Sequence, residues 1–209
     1  MSFNKLKHLA MVLENVKPNP HPKVELEQYS LGGDVASRII WFAGKVNDDI
    51  CGKIVLDLGC GSGILAIGAA LLGADFVLGV DFDFDVLKVA LDNAKLMNVS
   101  SKTSFICVDI SNLYLRNNVD TVIQNPPFGV HRRGADRVFL KKALEISNVV
   151  YSIHKYSFEN HIFLSKFISS LGGIITHVIP FTLHIPHTFD FHRELKRKVN
   201  VVLYRIMHV

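Results

Sequence analysis

From Leu31 onward, apolar runs of four to six residues alternate with longer stretches whose apolar positions recur at helical spacing. That alternation is the pattern of βα units building a parallel sheet covered on both faces. The short runs predict strands at Ile54 to Leu58, Phe76 to Val80, Ser104 to Val108, Thr121 to Gln124 (the apolar pattern beginning at Val119), Val149 to Ile153 and Ile174 to Ile179. Helical spacing predicts helices at Val35 to Lys45, Ile64 to Leu71, Val86 to Met97, Asp136 to Ile146 and Phe158 to Ser170. The last segment, Lys198 to Met207, alternates imperfectly and follows the preceding strand without a strong helix between them, so it predicts an antiparallel partner. The expectation is an α/β fold with a seven-stranded sheet, six strands parallel and one antiparallel.

Ahead of this pattern, a short helix over about Lys5 to Asn15 is followed by Lys17-Pro18-Asn19-Pro20-His21-Pro22, whose prolines favour an extended connector. Residues 1–30 are thus expected to be a helix and connector attached to one globular unit, 31–209. The 209 residues, 49% hydrophobic and 20% charged, suffice for a sizeable core and disfavour disorder. No apolar run approaches the roughly 20 residues of a membrane span, and the first residues lack the form of a secretory signal. A cytoplasmic protein is expected. Cys51, Cys60 and Cys107 form no C-x-x-C pair and read as buried reduced thiols. A net charge of +4 permits a nucleic-acid partner without arguing for one.

The first predicted strand runs into Asp57-Leu58-Gly59-Cys60-Gly61-Ser62-Gly63, and a helix opens at Ile64. Glycines let such a loop turn sharply and approach a ligand. A dinucleotide site reads G-x-G-x-x-G, whereas this loop reads G-x-G-x-G with an acid two residues ahead. The ligand this points to is S-adenosylmethionine, whose sulfonium and ammonium Asp57 is placed to orient or help neutralise. Asp81, ending the second strand, falls where an acid would hold a ribose diol. Asp109 ends the third, where it can accept from an adenine amino group while Ile110 covers the ring. Taken singly, each aspartate could be a helix N-cap.

The fourth strand ends in Asn125-Pro126-Pro127-Phe128. Two prolines stop a sheet and stiffen the loop, as a positioned pair of carbonyl acceptors requires. If the Asn125 side-chain carbonyl and the Pro126 main-chain carbonyl accept both protons of a planar exocyclic amine, the nitrogen lone pair leaves conjugation and becomes nucleophilic. Phe128 would stack on the base. The plain alternative is a proline-rich turn.

Asp57 to Gly63 together with Asn125 to Phe128 resemble the Rossmann-like class I methyltransferases that act on amino groups. A narrower resemblance is to the methyltransferase-like protein 5 family and its archaeal relatives, carried also by Leu26-Glu27-Gln28-Tyr29, Tyr151 to Lys155 and Phe189-Asp190-Phe191-His192. Arg132 to Arg137 is closer to the archaeal branch. The resemblance implies N6 methylation of an adenosine in small-subunit ribosomal RNA. It implies a cofactor site lined by Gln28, Gly59, Ser62, Ile64, Asp81, Asp109 and Ile110, with Gly61, Gly63 and Leu31 beside them. Leu31 and Ser62 are departures, since the eukaryotic relatives carry Thr and Cys there. The resemblance also implies a small zinc-binding activator protein as partner, covering apolar surface and extending the sheet.

His131, Arg132 and Arg133 follow the reactive loop and are candidate RNA contacts, as are His154 and Lys155 at the end of the fifth strand and Phe191 and His192 near the C-terminus. Arg193, Lys196, Arg197 and Lys198 form a second basic cluster. His184, His187 and His192 match no zinc spacing, and no metal is expected. Rival readings are a protein-glutamine or small-molecule N-methyltransferase, and an RNA-binding module that holds the cofactor without turnover.

Overall fold

The computed structural model describes residues 3–129, 134–186 and 196–208. Seven strands lie in the order β3-β2-β1-β4-β5-β7-β6: β1 Ile54–Leu58, β2 Phe76–Asp81, β3 Thr103–Cys107, β4 Val119–Gln124, β5 Ser147–Lys155, β6 Gly173–Pro186 and β7 Lys196–His208. β1 to β5 are mutually parallel, and β7 is antiparallel to both β5 and β6. The expected antiparallel strand is therefore β7, inserted between β5 and β6. β6 and β7 extend beyond the apolar run that announced each, because their long mutual ladder, from Gly173↔His208 to Pro186↔Lys196, supplies hydrogen bonds past the buried part.

Alternation along the strands divides the core in two. Val55, Val77, Ile123, Tyr151, Ile153, Val201 and Leu203 face one layer, formed by α1 (Leu6–Leu13), α2 (Gly33–Trp41, continued by a π turn Phe42–Val46) and α3 (Ile64–Leu71). Leu56, Leu58, Val80, Val122, Val150, Val202, Tyr204 and Ile206 face the other, formed by α5 (Ala135–Ile146) and α6 (Phe158–Ser170). α4 (Phe84–Leu96) sits beside β3. Period-two side chains between two helical layers are what a doubly covered sheet requires. α1 shares the first core, with Leu9 and Leu13 both fully buried.

One expectation fails among the cysteines. All three are free thiols, yet only Cys60 is buried, because Cys51 precedes β1 in a turn and Cys107 ends the edge strand β3.

Candidate active site

Chain order runs outward from β1 through β2 to β3, then restarts at β4 on the other side of β1. The carboxyl ends of β1 and β4 diverge at such a switch point and leave a crevice. A cavity of about 570 Å³ occupies it, lined from β1 and its loop by Asp57, Gly59, Gly61 and Ser62, from β2 by Asp81, and from β3's exit by Asp109 and Ile110. Asn125 and Pro127 after β4 complete one wall.

Asp57 is 1% exposed, on the face toward α3, where its Oδ2 accepts from the Ala66 amide at 2.9 Å. Its Oδ1 is buried without a hydrogen-bond partner. Burial raises the carboxyl to about 7. An orphaned carboxylate oxygen in a ligand-sized cavity favours a cationic ligand group. The Asp81 carboxylate accepts from the Gly61 amide and the Asp83 amide, both at 2.9 Å, which ties the glycine loop to the end of β2. Gly59 takes φ +70°, and a Cβ there would lie 2.8 Å from the Phe139 ring, so this turn admits glycine. Asp109 caps the 3-10 turn Ile110–Asn112 through the Ser111 amide at 2.8 Å and also lines the cavity.

The roof comes from the connector. Pro18, Asn19, Pro20, Pro22 and the segment Glu25 to Leu31 all face the cavity. They form a strap held by polar latches. Asn93 of α4 accepts from the Lys17 amide at 3.0 Å and donates to the Lys17 carbonyl and the Ser62 carbonyl, each at 2.9 Å. Buried Asp83 pairs with Lys23 at 2.8 Å and accepts from Gln28 at 2.9 Å. Burial opposes the Asp83 charge, but these donors outweigh it and hold the carboxyl below its ordinary value. Finally, the Tyr29 hydroxyl donates to Asn125 Oδ1 at 2.8 Å, and its ring lies 5.2 Å from that of Phe128. Burial pushes the Tyr29 hydroxyl far above its usual range, so it remains a donor.

Several sequence expectations change here. Gln28 is a latch, its Oε1 accepting from Asn19 and the Lys23 amide while its Nε2 serves Asp83, so its side chain organises the strap. Gly63 begins α3 with φ +84° and lies off the cavity wall, packed where a Cβ would meet Ala90 and Phe105. Pro126 is buried and Phe128 half-buried, both off the cavity wall. His154, expected at the exposed strand end, is 1% exposed. Its Nε2 lies 2.7 Å from Ser152 Oγ, which receives the Gln124 amide at 2.9 Å, and Asp136 stands 3.7 Å from its Nδ1. Strand-end position suggested exposure, but α5 covers this end of β5. Lys155 is exposed. His131, Arg132, Arg133, Phe191 and His192 lie outside the described residues, as do His187, Phe189, Asp190 and Arg193. Tyr29, Lys23, Asp83 and Asn93 are additions that sequence reasoning missed. Tyr29 stood only in the Leu26 to Tyr29 stretch with no role given it, the others had no signal beyond position within or opposite the proline-rich connector, and the latches span 55 to 96 residues.

A switch-point cavity with strand-end acids at β1, β2 and β3, a glycine loop and an Asn-Pro-Pro-Phe turn after β4 defines a class I, S-adenosylmethionine-dependent methyltransferase. Residues 46–126 match the ribosomal protein L11 methyltransferase (PrmA) family. The chain is 35% identical to rRNA N(6)-adenosine-methyltransferase METTL5 of Danio rerio, covering 94% of this chain and 96% of that one. It is 33% identical to Mettl5 of Drosophila melanogaster over 98% and 97% of the respective chains. It is also similar to the crystal structure of PH1948 from Pyrococcus horikoshii, with TM-score 0.91, 41% identity and 99% of both chains covered. The chain belongs to the METTL5 family of rRNA N(6)-adenosine-methyltransferases.

Proposed function

We propose that this protein methylates the exocyclic N6 of an adenosine in ribosomal RNA, with the small-subunit RNA as its substrate. The observation that carries the reading is the seating of Asn125. Its carboxamide oxygen stands at the end of β4 beside the cofactor cavity, in a loop stiffened by Pro126 and Pro127, and is already accepting a hydrogen bond from a hydroxyl donor.

The residues present fit the cofactor. Asp57, with its unpartnered oxygen, would hold the cationic end, Asp81 the ribose diol, and Asp109 with Ile110 the adenine. When bound, S-adenosylmethionine supplies an electrophilic methyl group on a sulfonium. Asn125 Oδ1 and the Pro126 carbonyl would take the two N–H bonds of the target amine, holding its nitrogen lone pair out of the ring system and aimed into the cavity. Positioning two reactants at about 3–3.5 Å supplies much of the acceleration in such a transfer. No strong base is called for, because the amine becomes acidic as it gains the methyl and yields its proton to water.

For the partner, the reading carries a small zinc-binding activator. Among the described residues β3 is an unpaired sheet edge, and Phe82, Phe84, Ile106 and Tyr114 are exposed near its carboxyl end. An unpaired edge with exposed apolar neighbours suits a protein that extends the sheet. No described helix is long and apolar enough to cross a membrane, and with an rRNA substrate the proposed location is the cytoplasm.

The test supplies methyl-labelled S-adenosylmethionine with purified small-subunit RNA, large-subunit RNA or ribosomal proteins, with and without a co-expressed activator. Label is expected in small-subunit RNA and to be released by ribonuclease. Label resistant to ribonuclease would move the acceptor to protein, and label in large-subunit RNA alone would overturn the substrate.

A further inference from the structure

Two contacts define a seat for a target adenine: a donor on Asn125 Oδ1 and a flat ring against Phe128. Both are already made by one side chain of this chain. The Tyr29 hydroxyl donates to Asn125 Oδ1 at 2.8 Å, and the Tyr29 ring leans on Phe128 at 5.2 Å with an interplanar angle of 31°. A base sandwiched between the two rings would need about 7 Å, two stacking contacts of about 3.5 Å each, so it cannot enter while Tyr29 stays. Phe128 is half-buried and packed against the main core, as is the Tyr29 ring that lies against it. From this we infer that Tyr29 is an intramolecular occupant of the adenine seat, a phenol standing in for the target base, which the base must displace before transfer.

The inference rests on the adenine reading above and concerns how that seat is kept. Residue 29 is fixed on both sides, by Gln28 hydrogen-bonded to Asp83 and by Leu31, which is 7% exposed. Displacement is therefore a rotation of the Tyr29 side chain, with the strap in place over the cofactor. A plug of this kind suits an enzyme whose acceptor oxygen would otherwise stand half-buried and unpaired between turnovers. It also sets a threshold for entry. Adenine repays the broken contacts with its own N–H donor and its own ring, whereas uracil brings a carbonyl oxygen to the place of the amine and leaves Asn125 unpaired.

The experiment uses the full chain saturated with S-adenosylhomocysteine and a short single-stranded RNA holding one adenosine among uridines, with affinity measured by anisotropy. Tyr29→Phe keeps the ring and removes the donor. Since one neutral hydrogen bond no longer has to be broken, the RNA should bind about 2- to 10-fold tighter. In an Asn125→Ala background the same change should have no effect, because the contact it removes is gone. Unchanged or weaker binding by Tyr29→Phe, or equal tightening in both backgrounds, would overturn the plug. Methyl transfer by the unaltered protein is followed in parallel. Transfer to adenosine without tightening overturns the plug alone, and tightening without transfer to any RNA overturns the proposed reaction while the plug stands.

Discussion

At the scale of single residues the site is governed by what burial does to polar groups. Asp57 shows it most directly. Its carboxyl lies at about 7 against an ordinary 3.8, so the cofactor-free fold holds a proton that the unfolded chain has released above about 4. That group therefore favours folding below its unfolded value, and the contribution is withdrawn as pH rises through about 7. A cation beside Oδ1 favours the carboxylate, so cofactor affinity should climb with pH up to about 7, by at most about tenfold per unit, and then level off. Calorimetric titration between pH 5.5 and 8.5 checks this, and Asp57→Asn should flatten the profile. Gly79 gives a second, purely steric case. A Cβ there would lie 2.4 Å from Phe105 Cδ1, so Gly79→Ala should lower stability by about 1–3 kcal/mol in thermal unfolding.

At the scale of elements, the strap is the part whose role emerges only in three dimensions. It is held by hydrogen bonds and the Lys23–Asp83 pair more than by apolar burial, since most of Pro18 to Ser30 remains half-exposed. Asp83→Asn removes the charge that gathers Lys23 and Gln28. Its expected result is faster amide exchange over residues 17–30 and weaker cofactor binding, with exchange in β1 and β4 unchanged, measured by hydrogen exchange and mass spectrometry. Protection of the strap indistinguishable from the unaltered protein would contradict this account. The same element explains what the sequence pattern could and could not carry. Asp57, Asp81 and Asp109 were legible as cavity-lining residues because an acid at or just past the end of a strand is a local signal. So were the stop at Asn125-Pro126-Pro127 and the seven runs of the sheet. Tyr29 was not, because its meaning lies in a partner 96 residues away. His154 misled for the complementary reason. Polar character at a strand end suggests exposure, but here Ser152, two residues back on the same face, and Asp136 of α5 enclose the ring.

At the scale of the whole molecule, stability and chemistry are housed apart. Asp49, ahead of β1, gathers Arg205 of β7 at 2.8 Å and the Tyr151 hydroxyl of β5, and Arg205 also donates to Thr176 of β6 at 2.9 Å. This network ties the loop before β1 to the far strands of the sheet, and none of its members lines the cofactor cavity. Arg205→Ala leaves Asp49 mostly buried without its cation, at a cost of about 2 kcal/mol, below the 3–5 of fully enclosed pairs. Unfolding should then begin several degrees lower, with cofactor affinity unaltered. The proposed chemistry, by contrast, converges on the ends of β1 and β4, and on one carboxamide. The decisive measurement is therefore nucleoside mass analysis of small-subunit RNA treated with S-adenosylmethionine and either the unaltered protein or Asn125→Ala, both shown beforehand to bind cofactor. N6-methyladenosine formed by the first and reduced at least about 100-fold by the second, as loss of a transition-state contact predicts, is the expected result. N6-methyladenosine formed equally by both, or a methyl group found on another atom, would contradict the account.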